Sequence, residues 1–321
     1  MIEVQHLTKK YGKHLALDDL SFTIEKGQIY GFLGPNGAGK STTMNIMTGY
    51  ISATSGEVLI DGHSILDEPE KAKKSIGYLP EIPPLYLDMT VMEYLKFVAE
   101  LKKIPKDKRS AEVRKASTLV KLNDVSNRLI RNLSKGYKQR TGLAAAVLGF
   151  PDIIILDEPT VGLDPKQIIE IRQLIRKLAK DHTVILSSHI LAEVQEICDY
   201  VLIISKGKLV GSGTPEELEE LSHGKDSIEL TVKSDADTIQ SVLDRIDGIQ
   251  NVTWKNQGAD SCDLLVDTSK SAQEVCEDIS IAFATERIPV TRINILKATL
   301  EDIFLELTES SQKDEEGETK R

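Results

Sequence analysis

Short apolar runs and segments of helical period succeed one another over about the first 224 residues, the pattern of an α/β domain on a mainly parallel sheet. Strands are expected at residues 28–33, 153–156, 183–187 and 201–205, and the alternation from Met1 to Leu7 reads as another. Asp61-Gly62, after the run at 57–60, reads as a hairpin or strand-end turn. Between Thr90 and Phe150 the texture becomes almost wholly helical. Thr90 followed by Glu93 predicts a capping box for a helix over 91–101. A helical subdomain is therefore expected at about 85–150, inserted between two core strands.

Thr214-Pro215-Glu216-Glu217 supplies an N-cap, a proline at the first helical position and acids on the positive dipole end. That helix runs into a linker at 222–226. Beyond it the pattern reads strand 227–233, helix 236–246, strand 252–256, strand 261–267, helix 272–285 and strand 290–295. This βαββαβ order predicts a small α+β ferredoxin-like domain over 225–308. A last amphipathic helix is expected at 299–307. The charged tail at 309–321 has the composition of a disordered segment. No internal repeat is visible.

Two glycine- and acid-bearing segments carry the chemistry. Gly34-Pro35-Asn36-Gly37-Ala38-Gly39-Lys40-Ser41-Thr42 fits G-x4-G-K-[ST] and lies between a strand and a helix. The glycines let backbone N–H groups turn in around phosphate oxygens, and the helix N-terminus adds its positive dipole end. Lys40 can reach the β- and γ-phosphates, and Ser41 can offer a hydroxyl to Mg2+. The bland alternative is a glycine-rich turn. The run Ile153-Ile154-Ile155-Leu156 ends in Asp157-Glu158. Ligands gather at the carboxyl ends of buried parallel strands. Asp157 can there hold the Mg2+ hydration shell, and Glu158 can orient or deprotonate a water. Solvated acids in a strand-end turn are the alternative.

With these residues in place, the first 220 or so positions resemble the nucleotide-binding subunit of ATP-binding cassette transporters. The resemblance assigns further roles. Tyr11 is similar to the aromatic that stacks on adenine, and Leu133-Ser134-Lys135-Gly136-Tyr137 to the family signature, usually LSGGQ. Asp164, in Gly162-Leu163-Asp164, resembles the D-loop aspartate, and His189 the switch histidine that contacts the γ-phosphate. Taken singly, Tyr11 reads as a loop aromatic and His189 as a satisfied strand-end histidine. Their order along one chain is what identifies the family.

The implied fold is a P-loop NTPase core, a RecA-like sheet with an inserted helical subdomain. The implied activity is ATP hydrolysis with Mg2+ held by Ser41, Glu81 and Asp157. In the family the signature acts on the nucleotide of the partner subunit. Two subunits, identical or merely related, would thus close head-to-tail around ATP and exclude water.

Two positions depart from the usual pattern. Glu81 stands where a glutamine is common; it keeps an oxygen for Mg2+ but loses the amide donor and adds negative charge. Lys135 replaces the second signature glycine and Tyr137 the glutamine; the added cation could partly offset Glu81. Both variants resemble the single-cassette branch that includes gliding-motility and drug- or antibiotic-resistance exporters. The expected closing helix of the accessory domain is similar to that branch too.

Composition narrows the partner. Charged residues make up 28% and the net charge is −10, which argues against a general nucleic-acid binder. Cys198, Cys262 and Cys276 form no CxxC pair and read as reduced thiols rather than a metal site. No apolar run is long enough to span a membrane. The expectation is a peripheral subunit on the cytoplasmic face of the membrane, docked on a separate permease through residues 82–101 and driving export. A soluble cassette acting on a ribosome or DNA is the alternative. Ribosome-acting members usually carry two cassettes, and DNA-repair members insert long coiled coils for which the interval from Lys40 to Ser134 is too short. A non-hydrolysing cassette would need a damaged Glu158 or His189.

Overall fold

The apolar runs become fully buried strands in the computed structural model, which describes residues 1–220, 227–258, 261–296, 301 and 304. The first part runs β1 (Ile2–Tyr11), β2 (His14–Ile24), β3 (Ile29–Leu33), α1 (Lys40–Met47), β4 (Ser55–Ile60), β5 (His63–Ser64), α2 (Pro69–Lys74) and β6 (Ile76–Leu79). Three helices follow, α3 (Val91–Leu101), α4 (Lys106–Leu119) and α5 (Lys135–Val147). The chain then returns through β7 (Ile153–Leu156), α6 (Pro165–Leu178), β8 (Thr183–Ser188), α7 (Leu191–Ile197), β9 (Tyr200–Ser205) and β10 (Lys208–Gly213).

The central sheet has the order β10-β9-β3-β8-β7-β6, parallel throughout except for the β10–β9 edge pair. Every residue of β3, β7 and β8 is buried, as expected of strands covered on both faces. Because β3, β6, β7 and β8 point the same way, the segments after them emerge along one edge. Gly34, Glu81, Asp157 and His189 all lie just past those strand ends, where α/β sheets hold their ligands.

A second, antiparallel sheet of order β2-β1-β4-β5 was not foreseen as separate in the sequence reading. Its strands are half-buried, and β1 shows the pattern: Ile2, Val4 and Leu7 point inward while Gln5, Lys10 and Tyr11 are exposed. The inward face shares one core with the central sheet, bringing Leu7, Leu17 and Leu20 together with Phe32, Met44 and Ile185.

The inserted helices begin where the capping box predicts. Thr90 Oγ1 accepts from Glu93 N at 3.2 Å, and Thr90 N donates to Glu93 Oε2 at 2.8 Å, so two orphan groups of α3 are satisfied reciprocally. Residues 85–90 precede this helix without joining it.

The chain divides into two compact units between Pro215 and Glu216, within the first turn of α8 (Pro215–Glu220) and ahead of the boundary expected near Gly224. The second unit contains β11 (Ser227–Val232), α9 (Ala236–Leu243), β12 (Ile249–Gln257), β13 (Cys262–Thr268), α10 (Ala272–Thr285) and β14 (Val290–Leu296). Its antiparallel sheet has the order β12-β13-β11-β14, the ferredoxin-like topology. Strict alternation in β11 and β13 turns Ile228, Leu230, Leu264 and Val266 onto Ile239, Ile279 and Phe283 of the two helices. Trp254 packs against the same core. Glu229, paired with Lys255 at 2.9 Å, lies among the residues that alternate away from it. The expected linker at 222–226, most of the closing helix at 299–307 and the tail at 309–321 lie outside the described residues. Cys198, Cys262 and Cys276 are free thiols.

Candidate active site

The loop after β3 wraps the start of α1. Gly39, the N-cap of α1, sits at φ 110°, a conformation that L side chains rarely adopt, and a Cβ there would lie 2.9 Å from Ala16 O. Glycine is therefore required by both torsion and space. Lys40 is 5% exposed, and its Nζ donates to Gly34 O at 2.7 Å and Pro35 O at 3.2 Å. Burial pushes the Lys40 ammonium below its ordinary pKa, while Glu158 and Asp157 pull the other way. An ammonium stripped of water in this way is poised for a stronger anionic partner.

Facing the loop are the two acids past β7. Asp157 Oδ1 accepts from Ser41 Oγ at 3.2 Å and from Ser187 Oγ at 2.6 Å. Ser187 Oγ in turn accepts from Glu158 N at 2.8 Å. Glu158 has φ 47°, an unusual conformation for a residue with a side chain. That turn brings its carboxylate to 3.7 Å from Lys40 Nζ and 3.0 Å from His189 Nδ1. Asp157 and Glu158 are 3% and 7% exposed, so neither is a solvated strand-end acid.

Tyr11, Asn36, Gly37, Ala38, Gly39, Lys40, Ser41, Thr42, Glu81, Glu158 and His189 line one cavity of about 470 Å³. Tyr11 is half exposed at its rim, with Lys9 Nζ 5.1 Å from the ring centroid. Gly34 and Pro35 contribute carbonyls to Lys40 rather than walls. Ser41 and Asp157 are oxygen donors of the kind a hard dication takes, and no trio of His, Cys, Asp or Glu able to hold a metal exists among the described residues. The donor set thus suits Mg2+ completed by phosphate oxygens, not a cation caged by protein alone.

The signature residues stand elsewhere in the same unit. Ser134 is the N-cap of α5, its side chain accepting from Tyr137 N at 3.4 Å. Leu133 is buried, whereas Ser134, Lys135 and Tyr137 are exposed. Asp164 is the exposed N-cap of α6, accepting from Gln167 N at 3.0 Å. None of these lines the cavity that holds Lys40.

Sequence reasoning missed His14, Ala16 and Val161, which also line the cavity. It missed Ser187 and Glu193 too. Glu193, 3% exposed, accepts from Thr160 Oγ1 at 2.7 Å and Ser188 Oγ at 3.0 Å, and lies 3.6 Å from Arg172. It ties the loop after Glu158 to the strand end before His189. No motif or spacing in the sequence marked Glu193; the structure places it in the first turn of α7.

The comparisons with known proteins agree with this geometry. The ABC transporter family model matches residues 17–161. The ABC transporter ATP-binding protein YhcH of Bacillus subtilis is 35% identical over 323 residues, covering 100% of this chain and 97% of that protein. The bacitracin transport ATP-binding protein BcrA of Bacillus licheniformis is 41% identical over 212 residues, 65% of this chain and 68% of its own length. Among solved structures, the dimeric ATP-binding cassette MJ0796 bound to ADP and Pi superposes with a TM-score of 0.62 at 27% identity, covering 67% of this chain and 98% of that one. Ordered motifs, strand-end geometry and full-length similarity converge: the chain belongs to the ATP-binding proteins of ABC transporters.

Proposed function

We propose that this ABC ATPase hydrolyses ATP between its own P-loop and the signature of a second subunit, and thereby drives export through a separate membrane permease. The observation that carries the reading is the buried contact set Lys40–Glu158–His189 in one cavity with the glycine-rich loop. Relatives with a named role support the export reading. BcrA is a bacitracin transport protein, and LnrL of Bacillus subtilis, 31% identical over 98% of this chain, is a linearmycin resistance protein. The dimeric state of MJ0796 supports a two-subunit site.

In this reading the adenine stacks on Tyr11, and the loop 34–42 turns its N–H groups onto the phosphates. Lys40 exchanges the carbonyls of Gly34 and Pro35 for the β- and γ-phosphates. Mg2+, held by Ser41, Asp157 and Glu81, would neutralise phosphate charge. Glu158 accepts a proton from, or orients, the attacking water, and its strained backbone aims the carboxylate at the phosphate. His189 fixes that carboxylate and contacts the γ-phosphate. From the second subunit, Ser134 and its neighbours cap the triphosphate, and Asp164 lies at the join.

The permease would sit over residues 82–101. There Tyr86 is 54% exposed, and Ile82, 83% exposed, lines a cavity of about 600 Å³ together with Glu81, Tyr94 and Asp157. No helix among the described residues is long and apolar enough to cross a membrane, so the chain would act as a peripheral subunit.

Glu158→Gln tests the core of the proposal. It should bind ATP, accumulate as an ATP-bound dimer and hydrolyse at least about 100-fold more slowly, because an amide cannot take the proton. Wild-type turnover by this variant would remove Glu158 from the mechanism.

A further inference from the structure

A second cavity of the first unit gathers cations that have no acidic partners. It has a volume of about 920 Å³ and is lined by Arg114 and Lys115 of α4, Lys177 of α6, and Lys180 and His182 of the segment leading into β8. Asp181 is its one carboxylate, and Phe150, ahead of β7, completes the wall. β7 starts at Ile153 and β8 at Thr183, so these residues stand at the amino ends of the strands whose carboxyl ends lead to Asp157, Glu158 and His189. The cavity thus opens on the far edge of the central sheet and shares no residue with the cavity that holds Lys40.

Charge pairing sets its four cations apart. Elsewhere on the same helices cations are neutralised: Arg109 of α4 pairs with Glu100 at 3.2 Å, and Arg172 and Arg176 of α6 both reach Glu196. Arg114, Lys115, Lys177 and Lys180 form no ion pair among the described residues, with Asp181 or any other acid. Such a cluster is unexpected in a chain whose acids outnumber Lys and Arg 50 to 40. Cations are favourable at a helix C-terminus, which accounts for Lys177 in the last turn of α6. Arg114 and Lys115 precede the last turn of α4, so the helix dipole does not explain them.

The wall beside these cations is built from fixed groups. Gly149 and Phe150 both take positive φ, 84° and 48°, the second an unusual conformation for a residue with a side chain. That turn sets the Phe150 ring centroid 3.5 Å from Lys115 Nζ and 6.3 Å from the stacked ring of His182. His182 is 8% exposed, and its Nδ1 lies 2.7 Å from Pro151 O. A carbonyl only accepts, so Nδ1 carries the hydrogen. Nε2 is left without a hydrogen bond among the described residues. A nitrogen left open on a cavity by an otherwise buried ring is a place for a ligand. It can accept from a phosphate hydroxyl or, once protonated, donate to a phosphate oxygen.

We propose that this cavity binds a compact polyanion carrying at least two phosphate groups. Four cations against one carboxylate leave an excess of three positive charges. A phosphate monoester carries about −1.5 to −2 at neutral pH, so two such groups match the excess and one does not. Arg114 can take one group bidentately, while the lysines act as point charges. The volume falls within the range of about 300 to 1,000 Å³ found for small-molecule sites, which favours a small ligand over the flat surface of a protein partner. Neighbouring phosphates of this kind occur on soluble polyphosphorylated compounds and on diphosphate lipid headgroups. The inference does not depend on how ATP is hydrolysed at the other edge of the sheet.

The test uses the full-length chain carrying Lys40→Ala, so that the P-loop competes less for phosphate. Pyrophosphate and tripolyphosphate are titrated by calorimetry at low salt, and flotation compares phosphatidylcholine vesicles with and without cardiolipin. Melting temperatures establish that every variant is folded. Adding Arg114→Ala with Lys177→Ala removes two charge-assisted contacts and should weaken binding at least about tenfold. Adding Arg109→Ala with Arg176→Ala removes two cations of the same helices outside the cavity and should leave binding unchanged. Tripolyphosphate binding that follows this pattern supports the site with a soluble ligand, and cardiolipin-dependent flotation that follows it supports the site with a lipid headgroup. Equal weakening by the two pairs shows diffuse attraction and overturns the proposal. So does the absence of both flotation and any binding of either anion up to about 1 mM.

Discussion

Glu193 is the residue whose removal should reveal how the two arms of the active site are braced. Its carboxylate is buried, accepts from Thr160 and Ser188, and faces Arg172, itself only 17% exposed. Glu193→Ala would leave two hydroxyls without their acceptor and deprive Arg172 of one of its carboxylates. Breaking a buried pair in this way costs about 3 to 5 kcal/mol. Arg172 retains Glu196 as a partner, so the lower end of that range is the appropriate figure. For a domain of this size each kcal/mol lowers Tm by about 2 to 4 °C, so a fall of at least about 6 °C is expected. Glu193→Gln keeps an oxygen for the hydroxyls and loses only the charge, so it should fall by a smaller amount. Calorimetry of the three proteins at neutral pH is the assay. ATPase measured well below the new Tm should also drop in Glu193→Ala, because the loop after Glu158 and the approach to His189 are no longer tied. A Tm within about 2 °C of wild type would refute the reasoning. It would mean that Arg172 and the two hydroxyls find other partners at no cost.

Two further predictions address the fold and the dimer. Asp61, at φ 49°, accepts from the N-terminal ammonium at 2.7 Å and pairs with Lys26 at 2.9 Å. Burial raises its pKa, but the two cations outweigh this and hold it below the usual range. A carboxyl depressed on folding contributes stability above its unfolded pKa of about 3.9 and loses it as pH falls through the folded value. Asp61→Asn, which tolerates the same backbone, should thus melt lower than wild type at neutral pH, and the gap should close below about pH 4; a constant gap would contradict the assignment. For the dimer, Lys40→Ala and Ser134→Arg chains should each be inactive, and mixing them should restore ATPase in about a quarter of sites, since a head-to-tail pair then has one site without lesions. If the mixture stays silent while Lys40→Ala in excess over wild type remains active, the signature does not act in trans.

Much of the fold was legible because the relevant signals are local. The capping box at Thr90 and Glu93 marks the start of α3 within four consecutive residues, and the run at 153–156 is buried on both faces as its uniform composition suggests. The antiparallel sheet was harder to separate, since β1 pairs with β4 across a long interval and its register is broken between Gln5 and Thr8. No window of sequence contains that pairing. Helix α9 also stops at Leu243, short of the expected end at residue 246, because the following turn closes with Arg245 N donating to Val242 O.

The same distinction runs through the candidate site. Residues that touch phosphate must sit at strand ends or helix starts, so their spacing along the chain preserves the chemistry. The residues that brace them obey no such spacing. Ser187 reaches Asp157 and the backbone of Glu158 from the neighbouring strand, Glu193 reaches Thr160 from a helix, and Lys135 reaches Gly162 from the signature. Each of these contacts depends on strand order β3-β8-β7 or on the approach of two helix starts, neither of which is written in a motif. Lys135 illustrates the consequence. As a letter in a signature it reads as added positive charge, and charge suggests phosphate. The tip of Lys135 instead rests against the exposed Gly162, and it can reach a phosphate only by leaving that glycine. Substituting methionine at Lys135 separates the two, because it keeps much of the apolar stem and removes the ammonium. Retained kcat would then show that the ammonium is dispensable and the apolar stem suffices, and a loss equal to that of Lys135→Ala would assign the residue's contribution to charge.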